Sequence, residues 1–80
     1  MVTIKILGPG CANCKRMEQI VAKVVAEMNI KAEIVKVTDY NDILAFSILS
    51  TPGLVINGKV VSSGRIPSSA EVTNSLRDVL

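Results

Sequence analysis

Two periodicities in the apolar residues divide the first half of the chain into a strand, a helix and a strand. Residues 2–7 alternate and are rich in β-branched side chains, which predicts a first strand. Apolar residues then recur at spacings of three and four, which predicts a helix over residues 11–28, ended by Asn29 in a left-handed conformation. The apolar stripe of this helix is Met17, Ile20, Val21, Val24, Val25 and Met28. Residues 32–37 alternate apolar and charged side chains, which predicts a second strand.

A short second helix is predicted after the second strand. Thr38 or Asp39 is placed to cap its N-terminus, because both side chains can accept hydrogen bonds from the first turn. Its apolar residues are predicted to face inward, and these are Ile43, Leu44 and Phe46. Residues 50–53, which include a proline and a glycine, are predicted to end the helix.

The last third of the chain predicts a hairpin and a final helix. Asn57-Gly58 separates two apolar runs, residues 54–56 and 59–61, and this dipeptide is a strong signal for antiparallel strands joined by a tight turn. Ser68 and Glu71 have the spacing of a capping box, which predicts the start of the last helix. The predicted buried stripe of that helix is Val72, Leu76, Val79 and Leu80.

The element order is therefore βαβαββα, which indicates a single α/β domain over residues 1–80. A right-handed βαβ unit gives a parallel pair of strands, and the hairpin adds two antiparallel strands to the same sheet. Helices are then expected on both faces of this mixed sheet.

Composition narrows the function classes. The net charge is only +2, from nine basic and seven acidic residues, and the two aromatic residues, Tyr40 and Phe46, provide no stacking platform for single strands, so no nucleic-acid partner is predicted. An apolar fraction of 49% is enough for a core. No apolar run approaches the length of a membrane span, and the N-terminus has no signal-peptide pattern, so we expect a cytoplasmic protein with no membrane partner.

The two cysteines carry the candidate chemistry. Cys11 and Cys14 form a C-x-x-C pair where the first strand leads into the first helix, and such a pair in a reducing compartment is more often redox-active or metal-binding than structural. The helix N-terminus favours the thiolate of the first cysteine. We therefore predict Cys11 as a nucleophile and Cys14 as its resolving partner. Lys15 is a candidate to lower the pKa of the neighbouring thiol, with a solvated helix face as the alternative.

Three alternatives use the same cysteines without catalysis. A zinc site needs four ligands, and a chain with two cysteines and no histidine would need two more from a second chain. A metallochaperone of the ferredoxin-like class also has C-x-x-C after its first strand, but that fold ends on a strand. A module that senses redox state would need only the two thiols, so it stays open.

Four features together resemble the thioredoxin-like superfamily. They are Cys11-Ala12-Asn13-Cys14-Lys15 after the first strand, Thr51-Pro52 before the third, the hairpin turn Asn57-Gly58-Lys59-Val60, and Gly64 after the fourth strand. The likeness covers the whole chain and is nearest to the minimal, glutaredoxin-sized redox-active disulfide proteins. It implies a four-stranded sheet in the order 2-1-3-4, with the first and third helices sharing one face.

The resemblance also implies roles for individual residues. Cys11 would be the exposed attacking thiol, and Cys14 the buried thiol that resolves a mixed disulfide with the substrate. The substrate-binding positions would be Gly10, Thr51, Pro52 and Gly64. Pro52 would be a cis-proline facing the dithiol, and the backbone of Thr51 would pair with an extended substrate segment.

The implied activity is that of a protein-disulfide reductase. Its partners would be a disulfide-containing protein and a reductase, with no cofactor and no metal, and we expect a monomer. The chain also departs from the family pattern, with Gly10 in place of tryptophan and Ala12-Asn13 in place of Gly-Pro. Lys5 stands where thioredoxins have a buried aspartate, so a carboxylate relay at that position is absent. Residues 63–66 lack the acidic residue of a glutathione site.

Overall fold

Seven elements follow one another in the order predicted from the sequence. The structure, a computed structural model, describes residues 1–10, 12–48 and 50–80. Its elements are β1 (Val2–Leu7), α1 (Ala12–Met28), β2 (Ala32–Val37), α2 (Tyr40–Leu44), β3 (Gly53–Ile56), β4 (Lys59–Ser63) and α3 (Ser69–Arg77). In the part of the chain that the structure describes, no helix combines the length and apolar character needed to cross a membrane.

The strands form one mixed sheet in the order β2-β1-β3-β4, which confirms the predicted topology. β1 is parallel to β2 and antiparallel to β3, and β3 is antiparallel to β4. Leu7 pairs with both Val37 and Gly53, and Gly53 pairs with Ser63. These four residues therefore lie in one row, which we call the Leu7 edge of the sheet. Residues 8–10, which lead toward α1, leave the sheet at this edge.

One face of the sheet packs against α1 and α3. The buried residues of this cluster are Val2, Ile4, Ile6, Met17, Val21, Val24, Leu54, Ile56, Val72 and Leu76. The members from α1 are three and four residues apart, which places them on one side of the helix. The prediction that the first and third helices share a face is confirmed.

The opposite face packs against α2 and the segment that follows it. Leu7, Ile43, Ile48 and Val55 form its buried cluster, with Phe46 half-buried against it. Lys5 also lies on this face, because it alternates with the residues of β1 that face α1. Its Nζ is 5.3 Å from the centroid of the Phe46 ring, a cation–π contact. The structure thus uses Lys5 for packing, on the face away from α1.

The turns after α1 and between β3 and β4 occur at the residues predicted from the sequence. Asn29 ends α1 with a φ of 53°, and Asn57 and Gly58 join β3 to β4 with φ values of 50° and 83°. Positive φ at both central residues is the signature of the hairpin turn that Asn-Gly favours. The turn is also tied to β1, because the Thr3 backbone N–H donates to Asn57 Oδ1 at 3.0 Å and the Asn57 N–H donates to the Thr3 carbonyl at 2.8 Å.

Both short helices begin at side-chain caps. Asp39, one of the two predicted candidates, is the N-cap of α2, and its Oδ1 accepts the N–H of Asn41 at 2.8 Å. Ser68 caps α3 in the predicted capping box: its Oγ accepts the Glu71 N–H at 3.2 Å, and Glu71 Oε1 accepts the Ser68 N–H at 3.2 Å. The first turns of both helices are therefore fixed by residues that local sequence can identify.

Three residues predicted to face inward are exposed. Leu44 is 49% exposed, since it follows the buried Ile43 and adjacent helical residues point about 100° apart. Val79 and Leu80 are 40% and 66% exposed. α3 ends at Arg77, so the helical periodicity that would have placed them in the core stops before it reaches them.

Substituting the two leucines at the end of the chain should separate core from surface. We expect Leu76→Ala to lower the free energy of unfolding by about 2–5 kcal/mol, because the side chain is fully buried and a cavity remains. Leu80→Ala, the matched control, should change it by about 0.5 kcal/mol or less. Urea denaturation of both variants measures the difference. Equal losses would show that the end of the chain packs in the core.

Candidate active site

Cys14 lies in the first turn of α1 and begins the buried stripe of that helix. The stripe consists of Cys14, Met17, Val21 and Val24, at spacings of three, four and three. Cys14 is only 5% exposed. Because this side of α1 faces the sheet, the side chain of Cys14 is directed at the end of β1 rather than at solvent.

The sulfur of Cys14 lies against Gly8. The Gly8 N–H donates to the Val37 carbonyl at 2.9 Å, so Gly8 continues the pairing of β1 with β2 beyond the Leu7 edge. It also continues the alternation of Ile4 and Ile6 toward α1. A Cβ at Gly8 would overlap Cys14 Sγ and lie 3.3 Å from Cys14 Cβ. The close approach of α1 to β1 therefore requires glycine at this position.

The Thr51–Pro52 segment lies beside Gly8. Its peptide bond is cis, Pro52 is buried and Thr51 is exposed. A Cβ at Gly8 would lie 3.9 Å from Thr51 Cβ. The Gly64 N–H donates to the Pro52 carbonyl at 3.0 Å, which ties the end of β4 to this segment. The structure thus brings Thr51, Pro52 and Gly64 to the edge where Cys14 lies.

Gly64 is required by its backbone and by its neighbour. Its backbone φ is +75°, a value that residues with a side chain rarely adopt. A Cβ at this position would also lie 3.1 Å from Ser50 Cβ. Gly10 is exposed with a φ of +91°, and a Cβ on it would meet no atom within 4 Å. Both glycines leave open backbone near the Leu7 edge.

Cys11 lies outside the described residues. Its predicted exposure and its role as nucleophile therefore stay predictions, as does the influence of Lys15, which is exposed. Cys14 is not a free thiol in this structure. Among residues 1–10, 12–48 and 50–80, no group of three or more histidine, cysteine or acidic side chains is placed to hold a metal ion.

A cleft of about 340 Å³ opens beside Cys14, on the β2 side of β1. Its walls come from the end of β1, the start of α1 and the end of β2, and they are Ile6, Gly8, Gly10, Cys14, Lys15, Glu18, Lys36 and Thr38. Because β2 and β3 flank β1 on opposite sides, the cleft and the Thr51–Pro52 segment lie on opposite sides of Gly8.

An ion pair crosses the far side of this cleft. Glu18 is one turn beyond Cys14 on α1, and its Oε1 is 3.5 Å from the Nζ of Lys36. Lys36 pairs with Ile6 in the sheet, so both side chains point to the face that α1 covers. No role was predicted from the sequence for Gly8, Glu18 or Lys36. Glu18 could have been found, because it follows Cys14 by four residues and such residues lie on the same side of a helix.

A second ion pair fixes the loop that follows Gly64. Arg65 Nη1 donates a hydrogen bond to Glu71 Oε1 at 3.1 Å, and Arg65 Nη2 donates a second one to Glu71 Oε2. The pKa of Glu71 is lowered from 4.5 to about 2, first by the hydrogen bond from Arg65 and then by the backbone N–H of Ser68. The pair also raises the pKa of Arg65. It joins the end of β4 to the first turn of α3.

Comparison with known protein families identifies the family of this chain. A family model described as a thioredoxin domain matches residues 2–77. This chain belongs to the thioredoxin-domain family. The match covers every strand and helix of the fold, so the family assignment applies to the sheet, the Thr51–Pro52 segment and the start of α1 together.

Two archaeal proteins named thioredoxin are similar to the chain along its length. That of Methanocaldococcus jannaschii is 42% identical over 80 residues, which cover 100% of this chain and 92% of the relative. That of Methanothermobacter thermautotrophicus is 36% identical over 76 residues, which cover 95% of this chain and 99% of the relative. The chain is a thioredoxin-like redox protein, in the general class of thiol–disulfide oxidoreductases.

Solved structures confirm the thioredoxin fold. Thioredoxin-2 of the malaria parasite superposes with a TM-score of 0.70 at 20% identity, over 98% of this chain and 82% of that one. The germline-specific thioredoxin Deadhead of Drosophila melanogaster gives a TM-score of 0.69 at 18% identity, over 99% and 81%. At these identities the likeness establishes the fold alone.

The contact between Gly8 and Cys14 can be tested by a double-mutant cycle. We expect Gly8→Ala to lower the free energy of unfolding by about 1–3 kcal/mol, because the new Cβ forces the first turn of α1 away from β1. In a Cys14→Ala background the sulfur is gone, and the same substitution should cost at least about 1 kcal/mol less. Urea denaturation of all four proteins gives the coupling. Equal costs in the two backgrounds would contradict the contact.

The Arg65–Glu71 pair predicts a dependence of stability on pH. Because the pKa of Glu71 is lower in the folded protein, its contribution is complete above about pH 4.5 and is lost as the pH falls through about 2. Wild type should therefore be more stable than Glu71→Gln at pH 7, and the gap should narrow between pH 4.5 and 2. Thermal unfolding across this range measures the gap. A gap that does not change with pH would rule out the carboxylate as its source.

Proposed function

We propose that this chain reduces protein disulfides by dithiol exchange at Cys11 and Cys14. The observation that carries the proposal is the placement of Cys14: it is buried at the start of α1, its sulfur lies against Gly8, and the Thr51–Pro52 segment lies alongside. Membership of the thioredoxin-domain family supports assigning redox chemistry to this arrangement.

The proposed reaction has two exchange steps. The thiolate of Cys11 attacks one sulfur of the substrate disulfide, so that a mixed disulfide forms and the first substrate thiol leaves. Cys14 then attacks the sulfur of Cys11, which forms the Cys11–Cys14 disulfide and releases the second substrate thiol. The substrate gains two electrons and two protons, and the cysteine pair loses them. A reductase then returns the pair to the dithiol.

Position along the chain favours this division of roles. Cys11 immediately precedes Ala12, the first residue of α1, and the partial positive charge of a helix N-terminus stabilises a thiolate. Cys14 is shielded from solvent at 5% exposure, so a bulky external disulfide has little access to it. A thiol that is buried one turn inside the helix suits an intramolecular attack. Lys15 is proposed to assist the thiolate through its positive charge.

The substrate is proposed to bind at the Thr51–Pro52 side of the Leu7 edge. Thr51 is exposed, and its backbone would pair with an extended segment of the substrate protein, as in strand addition. Gly10 and Gly64 are exposed and carry no side chain to obstruct that segment. The proposed partners are thus a disulfide-containing protein and a reductase, with the chain acting as a monomer in the cytoplasm.

Serine substitutions should separate the two cysteines. We expect Cys14→Ser to accumulate a mixed disulfide between Cys11 and a protein substrate, because no second thiol remains to release it. Cys11→Ser should abolish disulfide reduction. Insulin reduction with dithiothreitol as electron donor measures the loss of turnover in Cys11→Ser. The mixed disulfide is measured separately, by mixing the reduced Cys14→Ser variant with insulin after dithiothreitol has been removed, followed by non-reducing electrophoresis and mass mapping.

The control for these variants is Ser75→Ala, a hydroxyl change within α3 at a position with no proposed role in the site, which should leave turnover unchanged. Turnover by Cys11→Ser would contradict dithiol exchange. A wild-type protein that cycles between thiol and disulfide but never reduces a substrate would instead indicate a redox sensor.

A further inference from the structure

Dithiol exchange requires Cys14 to give up and regain a proton in every cycle. Cys14 is only 5% exposed, so its sulfur has little direct access to bulk solvent. On the side of Gly8 where the substrate is proposed to bind, the neighbours are Thr51 and Pro52, neither of which carries a titratable group. The proton must therefore leave by another side of the site.

The cleft beside Cys14 provides that route. Its volume of about 340 Å³ is enough for several water molecules, and Cys14 forms part of its wall. Glu18 is the one carboxylate among the described residues that line it. Because Glu18 follows Cys14 by four residues on α1, the two side chains lie on the same side of the helix, one turn apart.

The other charged groups at the cleft are cations. Lys36 reaches it from the end of β2 and Lys15 from the first turn of α1. An ammonium group donates hydrogen bonds and has no lone pair, so neither lysine provides an acceptor for a thiol proton. Lys5 is on the other face of the sheet, over Phe46, so it does not reach the cleft.

We propose that Glu18 is the proton acceptor and donor for Cys14, acting through the cleft. This inference rests on the proposed function. As Cys14 attacks Cys11, the thiol proton of Cys14 passes to the Glu18 carboxylate, the Cys11–Cys14 bond forms, and the bond between Cys11 and the substrate sulfur breaks. The departing substrate thiolate takes its proton from solvent. When the disulfide is reduced again, Glu18 returns a proton to Cys14.

Lys36 positions this carboxylate. The ion pair of 3.5 Å holds the Glu18 side chain toward the end of β2, at the rim of the cleft. The Glu18 side chain is 35% exposed, so it can exchange its proton with solvent after receiving it from the buried thiol. Glu18 thus connects a shielded sulfur to bulk water.

The test compares two glutamates of α1. Glu18→Gln removes the proposed acceptor, and Glu27→Gln makes the same change of charge at an exposed position of the same helix outside the cleft. We expect Glu18→Gln to slow release of the second substrate thiol by about 10- to 100-fold near neutral pH, within or just below the usual contribution of a general base. Glu27→Gln should match wild type. Stopped-flow release of a chromogenic thiol from pH 5 to 9 measures both.

Chemical rescue distinguishes proton transfer from a structural role. Formate or acetate added to Glu18→Gln should restore part of the rate in proportion to its concentration, because the cleft is open to small carboxylates. Attack by Cys11, measured as mixed-disulfide formation in the Cys14→Ser background, should be unaffected by Glu18→Gln.

The outcomes separate this inference from the proposed function. If wild type fails to reduce the substrate, the proposed function itself is wrong. If wild type turns over and Glu18→Gln has the same rate and pH profile as Glu27→Gln, the role of Glu18 is overturned. A slow Glu18→Gln variant with no rescue and with equally slow attack by Cys11 would also overturn it, since the substitution would then have disturbed the fold.

Discussion

The close contact between Gly8 and Cys14 sets the geometry on which the rest of the site depends. α1 can bring its first turn onto the end of β1 only because Gly8 has no Cβ where the sulfur lies. Gly8 in turn is held in line by its hydrogen bond to Val37. A buried sulfur at the end of the central pair of strands is therefore a product of sheet pairing and helix packing acting together.

Sheet topology explains why the site has two distinct sides. With β1 between β2 and β3, the end of β1 faces the Thr51–Pro52 segment on one side and the cleft on the other. The first side offers the exposed backbone of Thr51 and Gly64, which suits a peptide. The second offers a carboxylate and ammonium groups, which suit proton exchange. Under the proposed function, substrate and proton approach Cys14 from opposite directions.

Much of this arrangement could be predicted from local sequence. The alternation of β1, the stripe of α1 and the Asn57-Gly58 turn all depend on neighbours in the chain, and the structure agrees with them. Leu80 was misjudged because α3 ends at Arg77, and the end of a helix depends on packing that periodicity does not record. Leu44 was misjudged for a different reason, since only one of two adjacent helical residues can face the core and Ile43 occupies that position.

The positions of some candidate residues were predictable where a motif marks them. Cys14, Thr51, Pro52 and Gly64 were expected near one another from the family resemblance, and the structure places them at one edge of the sheet. Gly8, Glu18 and Lys36 were not found, because their importance lies in contacts between β1, α1 and β2. Such contacts depend on strand register and on the position of a helix over the sheet, which no short stretch of sequence specifies.

β2 is an edge strand of the sheet, so the charge of Lys36 has a second effect. An edge strand has unpaired backbone N–H and C=O groups with which a strand of another chain can pair. Charged side chains along an edge strand oppose such self-association. Glu33 and Lys36 are the exposed charges of β2. Replacing Lys36 by an apolar residue would therefore remove both the ion-pair partner of Glu18 and a barrier to aggregation, so one substitution would change the cleft and the solubility of the protein together.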